Sequence, residues 1–88
     1  MISDYKKESN ILKALAHPVR LRMVEGLMHN ECNVTKMVKA LKIPQSTVSQ
    51  HLRVLKARGI VHLRKEGVKT CYRVLDARVS ELIKILGK

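Results

Sequence analysis

Two thiols, Cys32 and Cys71, and four imidazoles, His17, His29, His51 and His62, are the first candidates in this sequence for redox, nucleophilic or metal chemistry. Cys32 stands beside the start of a predicted helix in a basic chain, a setting that lowers a thiol pKa. It is therefore the candidate redox residue, the alternative being a small buried hydrophobe. Neutral imidazole and thiolate suit Zn²⁺, and His29, Cys32 and His17 are the donors from which a site could be assembled. The spacing supplies no second cysteine nearby, so no metal site and no cofactor are assigned. Cys71 falls on an alternating segment and reads as packing, and His51 reads as a hydrogen-bonded histidine at the core edge. Two cysteines are too few for a disulfide scaffold. No Ser/His/Asp order, paired carboxylates or Gly-rich phosphate loop is present, which argues against an enzyme and against a small-molecule substrate.

Charge points elsewhere. The 88 residues carry 18 Lys and Arg against 7 Asp and Glu, a formal charge of +11. Residues 41–75 hold Lys42, Arg53, Lys56, Arg58, Arg64, Lys65, Lys69 and Arg73 against Glu66 alone. A positive field this concentrated has polyanions as its natural partner. Leu, Val, Ile and Met are abundant enough to repay the entropy of folding, which excludes a disordered polycation. With no Phe or Trp and only Tyr5 and Tyr72, the core must be aliphatic. The length suits one domain, 1–88. No apolar run approaches the roughly 20 residues of a membrane span, and no apolar signal core opens the chain, so a cytoplasmic protein without membrane contact is expected.

The elements that must carry these charges follow from periodicity. Residues 4–15 suit a short amphipathic helix opened by Asp4, and His17-Pro18 breaks it. Pro18 fits the first turn of a second helix, Val19 to Met28. Asn33 can cap a third helix with Val34, Met37, Val38 and Leu41 on its apolar face. After Ile43-Pro44, a fourth helix runs from Gln45 or Ser46 to Arg58, ended by Gly59. Residues 60–64 and 69–74 then alternate apolar and polar around the Lys65-Glu66-Gly67-Val68 turn, a two-stranded hairpin. Asp76 caps a last helix with Val79, Leu82, Ile83 and Leu86 in one stripe. Five helices with a basic hairpin between the fourth and fifth make a mainly α fold, a helix-turn-helix followed by a wing.

The fourth helix carries the functional reading. With Ser46 at zero, Val48, Leu52 and Leu55 fall at about 200, 240 and 180 degrees, a buried stripe. Ser46, Ser49, Gln50 and Arg53 cluster opposite, with Thr47 and His51 on the flank. Short hydroxyls, an amide and a guanidinium pair with base edges and phosphates, and an α-helix fits a major groove. The expected partner is double-stranded DNA, with Ser46, Thr47, Ser49 and Gln50 at bases and Arg53, Arg64, Lys65 and Lys69 at phosphate. Arg20 or Arg22 helps from the second helix, and Gln45 is also on the DNA-binding face.

Ala14-Leu15-Ala16-His17-Pro18-Val19-Arg20-Leu21-Arg22 resembles the opening of the ArsR/SmtB winged-helix repressors. Gln45-Ser46-Thr47-Val48-Ser49-Gln50-His51-Leu52 through Leu55 and Gly59 is similar to their recognition helix, and Arg64-Lys65-Glu66-Gly67 to Tyr72-Arg73-Val74 to their wing. The stretch from Asn33 to Leu52 resembles the PagR-type branch. The resemblance implies a homodimer joined through the first and last helices, with Leu12, Leu15, Leu82, Ile83 and Leu86 lining the joint; the alternative for each is the core of its own chain. It implies a repressor that occupies a palindromic promoter operator and blocks transcription. The family's metal cysteines fall on Asn33 and Thr35, its last-helix histidine falls on Arg78, and its persulfide-sensing thiol on the second helix falls on Glu25. The implied repressor thus lacks the family's metal and persulfide sites; the alternative is a thiol- or metal-responsive sensor-repressor switched through Cys32.

Overall fold

His17 and Pro18 set the first corner of the chain. The residue before a proline is pushed out of the helical region, and His17 is extended, with φ −151° and ψ 125°. The Val19 N–H donates to its Nδ1 at 3.1 Å, capping the helix that Pro18 opens. In this computed structural model, which describes residues 2–32 and 34–88, a 3₁₀ turn at Ile2–Tyr5 leads into α1 (Lys6–Leu15). Then follow α2 (Pro18–His29), α3 (Val34–Leu41), α4 (Gln45–Ala57), β1 (Val61–Glu66), β2 (Lys69–Val74) and α5 (Ala77–Ile85). This is a winged helix-turn-helix.

The helix expected from Asp4 is split, because Asp4 lies in the 3₁₀ turn and α1 starts two residues later without a side-chain cap. The expected Asn33 cap of α3 lies outside the described residues. The hairpin is longer than the apolar alternation indicated. Lys65 and Glu66 pair with Thr70 and Lys69, leaving only Gly67-Val68 in the loop. Gly67 takes φ +60°, the conformation that a Gly-first two-residue hairpin loop requires. Asp76 caps α5 as expected: the Arg78 N–H donates to its Oδ1 at 2.9 Å. The Arg78 guanidinium bonds the same carboxylate and, as the main cause, holds Asp76 below the usual carboxylate range.

The core is wholly aliphatic. Met23, Val24 and Leu27 of α2 sit at its centre, and α2 touches α1, α3, α4, α5 and β2. Val48, Leu52 and Leu55 close it from α4, Val79 and Ile83 from α5, and Met37 from α3. Ile60, fully buried, joins α4 to the wing: its N–H donates to the Leu55 carbonyl, and its own carbonyl accepts from the Leu75 N–H, each at 3.0 Å.

The two cysteines, expected to serve separately, are joined in a Cys32–Cys71 disulfide. The hairpin register explains why they meet. Opposite residues of an antiparallel pair share a face, so Leu63 and Tyr72 lie on one side of the wing, and Arg64 and Cys71 on the other. The turn at Glu31-Cys32 covers that second side, where the Tyr72 N–H donates to the Glu31 carbonyl at 2.8 Å. Cys71 is thereby completely buried, although Thr70 before it and Arg73 two residues on are exposed.

Candidate nucleic-acid interface

α4 packs by one stripe and leaves the other free. Val48, Leu52 and Leu55 are at most 5% exposed, whereas Gln45, Ser46, Ser49, Gln50 and Arg53 are exposed and Thr47 is half-buried. The helix holds no acidic residue. The short Lys42-Ile43-Pro44 turn sets α4 against α3, with Lys42 in the left-handed region at φ 56°. Among the described residues nothing anionic pairs with Arg53, Lys65 or Lys69, so all three present free charge.

Two of the cations expected at phosphate have partners within the chain. Arg64 lies on the Cys71 side of the wing, where Nη1 is 2.8 Å from Glu31 and Nε is 3.1 Å from Glu66. Arg20, half-buried on α2, donates from Nε to Nδ1 of His51 at 3.2 Å and from Nη1 to the Ala14 carbonyl at 3.2 Å. It ties α1 and α2 to the flank of α4. His51 also stacks at a tilt on His17, with ring centroids 4.7 Å apart. Burial first, then the charges of His17 and Arg20, hold the His51 imidazole below its ordinary pKa. A neutral His51 is the form able to accept the Arg20 bond.

Sequence reasoning missed the groove between α4 and the wing, formed by Ser49, Leu52, Arg53, Lys56 and Tyr72. Helical spacing groups Ser49, Arg53 and Lys56, but Tyr72 joins them only through the folded hairpin. Of the expected joint, Leu15 and Ile83 are 3% and 1% exposed, spent in the core of their own chain. Leu12 and Leu86 stay more than half exposed, with Ile85 and Tyr5 also open, and Leu82 is half-buried beside Leu12 in an apolar cleft between α1 and α5. The zinc donors considered in sequence do not converge. Among the described residues the metal-ligating group that does is Cys32, Cys71 and Glu66, with neither His29 nor His17 in it. No helix among them is long and apolar enough to cross a membrane.

Residues 17–62 match the family model described as "Bacterial regulatory protein, arsR family". The chain is 43% identical over 88 residues to an uncharacterized HTH-type transcriptional regulator of Methanocaldococcus jannaschii, covering 99% of each. The crystal structure of the transcriptional repressor PagR of Bacillus anthracis superposes with a TM-score of 0.83 at 34% identity, over 98% of this chain and 99% of that one. A homodimeric winged helix-turn-helix DNA-binding domain from Mycobacterium bovis superposes with a TM-score of 0.84 at 28% identity, over 98% and 80%. With the exposed face of α4, the free cations of the wing and these relatives on one scaffold, the chain belongs to the arsR family of DNA-binding transcriptional regulators.

Proposed function

We propose that the chain is a homodimeric repressor that occupies an imperfectly palindromic promoter operator and excludes polymerase. The observation that carries this reading is the acid-free outer face of α4 beside the unpaired Lys65 and Lys69 of the wing. Gln45, Ser46, Thr47, Ser49 and Gln50 read base edges in the major groove, while Arg53, Lys65 and Lys69 hold flanking phosphate. Arg64 and Arg20 support these contacts from behind, the first by fixing the wing and the second by fixing α4.

The dimer joins through α1 and α5. Leu12, Leu86 and Ile85, exposed on a single chain, meet their counterparts across a two-fold axis and close the cleft at Leu82. Two α4 helices then enter successive major grooves about 34–36 Å apart. Repression needs neither the family's metal ligands nor any reaction.

Fluorescence anisotropy with the promoter DNA upstream of the chain's own gene, at two salt concentrations, tests the reading. Salt-sensitive binding that beats random DNA is the expected result. Equal affinity for both DNAs removes the operator from the proposal.

A further inference from the structure

The Cys32–Cys71 bridge spans the two parts of the molecule that must meet DNA together. Cys32 ends the turn before the helix-turn-helix, Cys71 lies in the wing, and 39 residues separate them in sequence. Two other ties join the Glu31-Cys32 turn to the wing, both from Glu31: its carbonyl accepts from Tyr72, and its carboxylate pairs with Arg64. The base of the wing is held separately, through Ile60 and the buried Val61. The Arg64 and Glu31 side chains are 41% and 36% exposed, although the Oε1 that Arg64 meets is buried, so salt screens the pair only in part. Without the disulfide, one backbone hydrogen bond and this partly screened pair are the ties left between wing and turn. The aliphatic core is assembled from other residues, so both redox forms retain it.

From this placement we propose that Cys32–Cys71 is a reversible thiol/disulfide pair that clamps the wing to the helix-turn-helix, the oxidised form being the tighter DNA binder. The proposal rests on the DNA-binding reading above. A wing already fixed relative to α4 reaches phosphate without a further ordering cost, and a loosened wing must be ordered on the DNA.

The sulfurs differ in access. Cys71 is fully buried, whereas Cys32 is half-buried at the surface of its turn. A small dithiol therefore attacks Sγ of Cys32 as its thiolate. The Sγ–Sγ bond breaks, a mixed disulfide forms on Cys32, and Cys71 leaves as a thiolate that takes up a proton. The second thiol of the reductant then displaces Cys32, which is protonated in turn. The dithiol becomes a cyclic disulfide, and two electrons and two protons have passed to the protein. No third cysteine is present to divert the exchange.

The test is anisotropy on the promoter duplex with oxidised protein, with protein reduced by dithiothreitol, and with a Cys32→Ser/Cys71→Ser variant. Reduction and the double substitution should each weaken binding by roughly five-fold, and the variant should ignore the reductant. Reoxidation by a small disulfide such as oxidised glutathione, itself reduced to two thiols, should restore the wild type. A melting temperature that falls on reduction while affinity stays constant overturns the proposal in favour of a purely structural cross-link. A response of the reduced protein that appears only with added Zn²⁺ overturns it in favour of a Cys32, Cys71 and Glu66 metal site. If neither form prefers the promoter, the DNA reading fails, and amide exchange at Tyr72 and the rest of β2 decides the clamp. Faster exchange after reduction supports it, and unchanged exchange overturns it.

Discussion

Arg20 and His51 lie 31 residues apart in sequence and meet across the junction of α2 and α4, Nε to Nδ1 at 3.2 Å. The bond forms with a neutral ring, since Nδ1 can accept only while the imidazole is unprotonated, and burial lowers the His51 pKa in the same sense.

Stability should therefore fall in mild acid. The native state holds His51 below its ordinary value of 6.5, chiefly by burial and then by the charges of His17 and Arg20. As pH drops below about 6.5, the unfolded chain takes up a proton that the folded chain resists, and the balance shifts toward unfolding. The loss stops once pH passes below the folded-state value. Thermal melting at pH 7.5 and pH 5.5 checks this, and His51→Gln should flatten the difference.

Arg20→Ala should cost about 1–2 kcal/mol of stability by deleting two part-buried hydrogen bonds. If Arg20 acts through α4, as its bonds to His51 and Ala14 indicate, the slope of log affinity against log salt should stay that of the wild type. A lowered slope would return Arg20 to the phosphate contacts.

Base reading and phosphate holding should separate by substitution. Gln50→Ala should narrow the gap between operator and random DNA by about 1–3 kcal/mol. Lys65→Ala should weaken both DNAs alike and lower the salt slope by about 0.9. Arg64→Ala should lower it less, since Glu31 and Glu66 already occupy that guanidinium. Titrations on both duplexes across a salt series measure all three.

Leu12 and Leu15 stand one helical turn apart on α1 and should respond oppositely. Leu15→Ala empties core space and should cost about 2–5 kcal/mol by denaturant melting. Leu12→Glu with Leu86→Glu should leave the fold intact and yield a monomer by sedimentation. A dimer that survives both changes would move the joint away from α1 and α5.

The recognition helix was legible because a 3.6-residue period separates Val48, Leu52 and Leu55 from Ser46, Ser49 and Gln50 without reference to any other element. The Asp76 cap was legible for a similar reason, its bond reaching only two residues ahead. The apolar stripe of α5 was legible, but not which of its residues the core takes. Leu82 and Ile83 are neighbours on α5, and only the packing of α2 and α1 decides which of them the core consumes. The disulfide left no local signal. It depends on a hairpin register and on a turn that arrives from 39 residues away. Arg64 and Lys65 look alike in sequence, yet adjacent strand residues point to opposite faces, and Glu31 waits on only one of them.

Ile60 makes the recognition helix and the wing parts of one lever. Hydrogen-bonded to Leu55 behind it and Leu75 across the hairpin base, it sets the angle at which the wing leaves α4. The Gly67-Val68 tip lies at the far end, with Val68 wholly exposed. Residues added in pairs at the tip would lengthen the wing and leave its angle unchanged. A single residue added between Ala57 and Val61 would rotate the wing off the groove it shares with α4. Reach and aim are thus set at opposite ends of the hairpin, so the length of the wing can change without disturbing α4.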